Sequence, residues 1–502
     1  MRESAVFLHI SSLPGKYGIG GLGKEAYRFV DFLKKSGFSR WELLPLNPCG
    51  PANSPYQTNS AFGLNPLLID LDLLLDEGLL KRSDFSGVKF GKYARTVDFG
   101  LVYKSHKELL HKAFKRFDKN SREFKNFSEE IMYKEYAMYM TIKGLNDDKG
   151  WYDWKLEYRT YNSMIESFIL KNYKKEYDYQ LFTQFIFLKQ WRILKKYANS
   201  NGIKIVGDIP YYLSLDSVEF YFHPELFLVG KNNTIEYISG YPKDAFNKEG
   251  QRWGNPLYDW SYMKINNYKW WDNRIRKALD LYDFVRLNHF SGFYNFYAMP
   301  FSFMSKEKGF FMPGPRLDFF KDKQNYPLIA AGVGLKDEKV TRFMKDCGYP
   351  DIRILELGFL NDDADLCSAH NPSNYSDNCV AYISNHDSIP LRPFIEEKLQ
   401  SNKDKTVENI MEYCKKYNIH FDIKEICENY LCKKVIEILF YSKAECAVLT
   451  TQDLFLQEKN SRMNTPGTVN LSNWTYRTTE RDFNDVNLIN YFKELNSKTR
   501  RL

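Results

Sequence analysis

The strongest constraint on the fold is a recurrence. Short apolar runs, each ending in polar or glycine-rich residues, return along the chain: AVFLHI at 5–10, RWELLPL at 40–46, IKIVGD at 203–208, DFVRLN at 283–288, YPLIAAGVG at 326–334, IRILELGFL at 352–360 and VAYISNHD at 380–387. Runs of this length read as buried strands. Amphipathic stretches lie between several of them, such as QLFTQFIFLKQWRILKKYANSNG, whose terminal glycine suits a helix stop. Strands alternating with helices predict a parallel sheet. Seven or eight such units predict a closed (β/α)8 TIM barrel of the α/β class, with any active site at the C-terminal strand ends. A length of 502 residues suits one such barrel with insertions.

Two regions break the alternation. Residues of about 70–180 are rich in Lys, Glu, Tyr and Phe at helical spacing, and residues of about 391–446 read as helical again. Both are expected to be helical subdomain insertions on a single unit spanning 1–502. No internal repeat or low-complexity linker stands out.

Composition narrows the partners. Lys+Arg 71 against Asp+Glu 63 gives 71 − 63 = +8, spread along the chain, a weak footprint for nucleic acid. The densest basic stretch, HKELLHKAFKRFDKNSREFKNF at 106–127, interleaves its charges with apolar residues as a solvated helix face does. The eight cysteines form no CxxC pair and have no histidine at zinc-finger spacing, which fits reduced thiols in a cytoplasmic protein. No apolar window is long enough to span a membrane, and no metal or cofactor is expected. The 38 Phe, 36 Tyr and 9 Trp fit a large core, although exposed aromatic faces also stack on sugar rings.

Local chemistry gathers at DFVRLNHFSGF, where Arg286, Asn288 and His289 crowd one strand end before Gly292. Two loops, GPANSPYQTNSAFGLNPLLIDL at 50–71 and GYPKDAFNKEGQRWGNPLYDW at 240–260, mix Gly, Pro, Asn, Asp, Tyr and Trp in a way packing alone does not demand. A third, RMNTPGTVNLSNWTYR, spans 462–477.

On these segments, with SSLPGKYGIGGLG, QWRILKKYANSNGIKIVGDIPYYL and QDLF, the chain resembles the amylomaltases, the 4-α-glucanotransferases of glycoside hydrolase family 77. The resemblance implies a cytosolic (β/α)8 barrel acting on α-1,4-glucans, or maltodextrins, by retaining transfer. That chemistry uses two carboxyl groups about 5–5.5 Å apart, a nucleophile and an acid/base.

Carried over residue by residue, the resemblance fails at the two reacting positions. The family nucleophile is the aspartate of an R-I/L-D-H-F motif, where this chain has Asn288 between Leu287 and His289. The acid/base glutamate of I-A-E-D-L-G falls on Ala331, and the aspartate after it on Gly332. The third family carboxylate is kept as Asp387, next to His386, while Ser388 and Ile389 replace its other neighbours. Arg286, His289, His386, Asp208, Tyr56, Asp244 and Trp253 also match and are expected to hold sugar. For Trp253, loop packing and stacking on sugar are equal alternatives. Glu356, where the family usually has glutamine on a barrel strand, is either a substitute acid/base or, preferred here, a pocket carboxylate paired with a nearby Lys or Arg.

Three functions follow as expectations. The first is a glucan-binding protein with lost or greatly reduced transglycosylation, serving as sensor, scaffold or partner of an active enzyme. The second is an active 4-α-glucanotransferase with a displaced carboxylate pair. The third, of another class, is a scaffold or regulatory protein that no longer binds sugar.

Overall fold

Alternation within each strand decides which side chains face the barrel axis and which face the surrounding helices. The computed structural model describes residues 2–91, 93–231, 234–242, 250–302, 308–332, 337–360 and 368–501. Its strands in chain order are β1 Glu3–Phe7, β2 Arg40–Glu42, β3 Lys204–Ile209, β4 Tyr237–Tyr241, β5 Gln251–Pro256, β6 Phe284–Asn288, β7 Asn295–Pro300, β8 Phe310–Pro313, β9 Leu328–Ala331, β10 Asp351–Ile354, β11 Cys379–Tyr382 and β12 Cys446–Thr450. Strands β1, β2, β3, β6, β9, β10, β11 and β12 close in that order into an eight-stranded parallel barrel, as the recurrence predicts.

Both strand faces are buried. Ala5, Phe7, Val206, Ile329, Ala331, Ile352, Val380, Tyr382, Cys446 and Val448 pack together as one cluster, the barrel lumen. Their strand neighbours Val6, Ile205, Ala330, Ala381, Ala447 and Leu449 belong to the larger core outside it. The same parity turns Arg40, Glu42, Asp208, Arg286 and Asn288 inward. Arg40 plugs the N-terminal end, paired with Glu3 and Glu445 and lying 4.1 Å over the Phe284 ring. The polar lumen residues therefore rise from this plug toward the C-terminal rim.

Between β2 and β3 lie the helices Leu71–Asp76, Phe99–Phe114, Arg122–Ser128, Ile131–Leu145 and Ser163–Asn172, then Lys174–Ser200, which returns the chain to the barrel. The last ends at Asn201 and Gly202, whose φ of +80° favours glycine. Between β11 and β12 run Leu391–Lys416 and Glu428–Tyr441. Among the described residues no helix is long and apolar enough to cross a membrane.

Two features depart from the sequence expectation. IRILELGFL is a strand only to Ile354 and then turns through Leu355–Leu357, so Glu356 sits on a 3-10 turn beyond the barrel wall's strand. Gly358 permits that turn: a Cβ there would lie 2.4 Å from the His370 carbonyl oxygen. The second is an antiparallel sheet in the order β5-β4-β7-β8, drawn from the loops after β3 and β6. Its short segments carry glycine and proline and pair across long sequence separations, so no local period announces them.

Candidate active site

Strand β6 delivers the centre of the site. Phe284, Arg286 and Asn288 share its inner face, and the ladder sets Asn288 directly beside Ala331 of β9. Adjacent strands lie about 4.8 Å apart, so side chains at these two positions start at the spacing that retaining glycosyl transfer uses between its carboxyl groups, about 5–5.5 Å. The occupants are a half-buried amide and a buried methyl.

One row below, Arg286 is the register partner of Asp208 and donates from Nη1 to its Oδ2 at 2.5 Å. The Tyr56 hydroxyl donates to the same oxygen at 2.6 Å. The Tyr56 ring stacks on His386 with centroids 5.0 Å apart, and His386 Nε2 lies 3.6 Å from Asp387 Oδ2. An unbroken chain of contacts thus runs from Arg286 to Asp387. Beneath it, Glu42 accepts the Tyr382 hydroxyl at 2.8 and 2.9 Å and lies 4.0 Å from Arg286 Nε. Burial holds the Glu42 carboxyl up at about 7, against the pull of Arg286.

His289 takes a left-handed backbone, φ +50°, at the start of the 3-10 turn Phe290–Phe293. Its ring meets Trp253 edge-on at 4.9 Å and also contacts Tyr211, Tyr212 and Tyr241. Burial lowers its pKa to about 4, leaving a neutral imidazole whose Nε2 has no hydrogen-bond partner among the described residues. Trp253 is half-buried on β5, parallel to Tyr241 at 6.0 Å. Gln57 ties the two site loops together, donating to the Trp253 carbonyl at 3.2 Å and accepting from Asn255 at 3.1 Å.

The opposite rim is a polar corner. Asp387 Oδ1 accepts from Asn464 at 2.6 Å, its carbonyl accepts from Arg462 at 2.5 Å, and its backbone N–H donates to Asn385 at 2.8 Å. Burial lowers the pKa of His386, with Asp387 pulling the other way. Glu356 lies behind this corner. Burial and then Asp453 push its carboxyl well above the usual range, with Ser388 and Arg462 opposing. Its Oε1 is buried without a partner, and among the described residues no lysine or arginine forms an ion pair with it. The expected Lys or Arg pairing is therefore corrected: the turn after Ile354 aims Glu356 at Ser388 and Asp453. Asp453 itself accepts from Ser384 at 2.5 Å and from the Leu391 N–H at 2.7 Å, fixing the start of the following helix.

The structure brings Asn288, Ala331, Arg286, Asp208, Tyr56, His386 and Asp387 to one rim and lumen, with His289 and Trp253 in an adjoining aromatic group. Asp244 lies outside the described residues. Sequence reasoning missed Glu42, Tyr382, Asn464 and Trp474, whose ring packs 5.8 Å from Tyr56 and 5.9 Å from His386. Asn464 lies in the RMNTPGT loop already marked by its composition. Glu42 and Tyr382 are 340 positions apart and carry no local signal.

A closed parallel barrel with a polar lumen and a rim of loop-borne aromatic and carboxylate groups defines a (β/α)8 protein with a candidate ligand site at its C-terminal strand ends. This chain belongs to the 4-alpha-glucanotransferase family, glycoside hydrolase family 77, whose model matches residues 8–482. The 4-alpha-glucanotransferase of Aquifex aeolicus is 36% identical over 488 residues, 96% of each chain. That of Clostridium butyricum is 35% identical, covering 95% of this chain and 96% of its own. An amylomaltase from Streptococcus agalactiae, solved in complex with acarbose, superposes with a TM-score of 0.92 at 32% identity, covering 100% of both chains.

Proposed function

We propose that this protein binds α-1,4-glucans at the barrel rim and has lost, or nearly lost, the transglycosylation of its family. The observation that carries the reading is Asn288 beside Ala331 in one ladder row. A carboxamide has no anion with which to form a glycosyl ester, and a methyl group neither gives nor takes a proton. A positioned general acid or base alone is worth about 10²–10⁴ in rate. The groups that would hold hydroxyls remain mutually bonded, from Arg286 through Asp208 and Tyr56 to His386 and Asp387. Relatives named as 4-alpha-glucanotransferases, and a neighbour that binds acarbose, support α-glucan as the ligand class. A sensor, a scaffold or a partner of an active enzyme are the roles open to such a protein. A cytoplasmic setting fits its unpaired thiols.

The test pairs turnover with binding. Incubation with maltotriose is expected to yield neither glucose nor longer maltodextrins, while maltoheptaose titrates calorimetrically on the same preparation. Asn288→Asp combined with Ala331→Glu is expected to raise disproportionation by about 10²-fold or more. Turnover that recurs in independent preparations and survives Asn288→Ala overturns the proposal.

One observation favours a second reading. Glu356 is a buried carboxyl near the strand ends, held toward its protonated form as a general acid must be. It would serve an active transferase whose carboxylate pair is displaced.

A further inference from the structure

Among the described residues, the fixed charges around the paired positions 288 and 331 are Asp208, Arg286, Glu42 and Asp387. Asp208 is met by Arg286 at 2.5 Å. Glu42 lies below them, bonded to Tyr382 and 4.0 Å from the same guanidinium. Arg286 is two residues before Asn288 on the same strand face and is held by Asp208 in its own ladder row, so what lies beneath the amide is an ion pair and not a free carboxylate. His289 and His386 are kept neutral by burial. Asp387 remains, but its side chain is 41% exposed and spends one oxygen on Asn464, so water and that amide both weaken its reach.

A transferase needs the opposite. The sugar carbon acquires positive charge in an oxocarbenium-like transition state, and flanking carboxylates stabilise that charge more than they stabilise the neutral sugar. A protonated amine at the same place profits in the same way.

We infer that this pocket is selective for uncharged, ground-state maltooligosaccharides and has no preference for cationic transition-state mimics, because a cation at the 288/331 row meets an amide, a methyl group and, beneath them, the closed Arg286–Asp208 ion pair. The inference rests on the glucan-binding reading above and specifies the ligand class of that site. Hydroxyl groups still find donors and acceptors in Tyr56, Asp208, His386 and Asp387, none of which requires the ligand to carry charge.

Calorimetry with acarbose and maltotetraose, which have equal ring counts, tests it on the unmodified protein, with maltoheptaose as the binding control. The expected result is that acarbose binds within about 3-fold of maltotetraose, where transition-state analogues generally gain about 10² or more over substrate. Asn288→Asp, alone and with Ala331→Glu, is expected to tighten acarbose by about 10-fold or more while moving maltotetraose less than about 3-fold. Should the double variant not fold, the single variant and the unmodified protein still decide the matter. A preference of the unmodified protein for acarbose above about 10-fold, with glucans also bound, overturns this inference and leaves the binding reading intact. Absence of binding by all three ligands overturns both.

Discussion

Asn288 keeps the outline of an aspartate without its charge, and the consequences spread through its neighbours. Arg286 is balanced inside the lumen by Asp208, so it does not depend on an anion at 288. That balance keeps the frame intact with an amide at 288 and a methyl group at 331. Glu356 is the residue that separates the two functional readings. Its carboxyl is held toward the neutral form and its Oε1 has no partner, so a glutamine of the same shape changes little. Glu356→Gln is expected to leave any residual maltotriose turnover unchanged and to shift stability by less than about 1 kcal/mol at pH 6. Loss of residual turnover in this variant would establish the displaced-carboxylate reading.

At the scale of elements, strand β6 and the turn after it set the site's precision. The chain reverses from Asn288 through His289 at φ +50° into Phe290–Phe293, and the Tyr211 hydroxyl donates to the Gly292 carbonyl at 2.9 Å. A Cβ on Gly292 would lie 2.9 Å from both His289 Cδ2 and Tyr211 Cζ. Gly292→Ala is therefore expected to cost about 1–3 kcal/mol of stability by urea denaturation and to weaken maltoheptaose binding through displacement of His289. An unchanged urea midpoint would mean that the turn absorbs the methyl group freely. This element was readable in advance because DFVRLN is one apolar run and its polar end is contiguous with it. The β5-β4-β7-β8 sheet was not, since each strand is specified by partners such as Met299 for Ile238 and Tyr297 for Gly240, far along the chain.

At the scale of the whole molecule, buried titratable groups give stability a defined pH dependence. His9, with a pKa of about 3, and His106, His289 and His370, about 4, are held below the ordinary 6.5 by burial, so the unfolded chain binds more protons and stability rises with pH up to about 6.5. Glu42 and Glu219, about 7, and Asp453, about 6, are raised by burial. They keep protons that the unfolded chain has already lost, so they lower stability as pH rises through about 4.5–7. Above about 6.5 only the carboxyl contribution is left, so the melting temperature is expected to peak near about pH 6 and to fall toward pH 8. Glu42→Gln is expected to remove about 2 kcal/mol of that loss between pH 5 and 8; equal slopes for variant and parent would mean Glu42 is not held protonated in the fold. The sequence by itself determined the parallel barrel, the family and the two neutral residues at 288 and 331, because strand period, helix spacing and motif chemistry are local properties. It carried Glu356 too far along a strand, because Gly358's approach to His370 is not written in the run itself. Only the tertiary structure decided that Asn288 and Ala331 share one ladder row, that Glu42 answers to Tyr382, and that Asp387 is pinned by Asn464. These contacts join residues 43 to 340 positions apart, and closing the barrel is what brings them within reach.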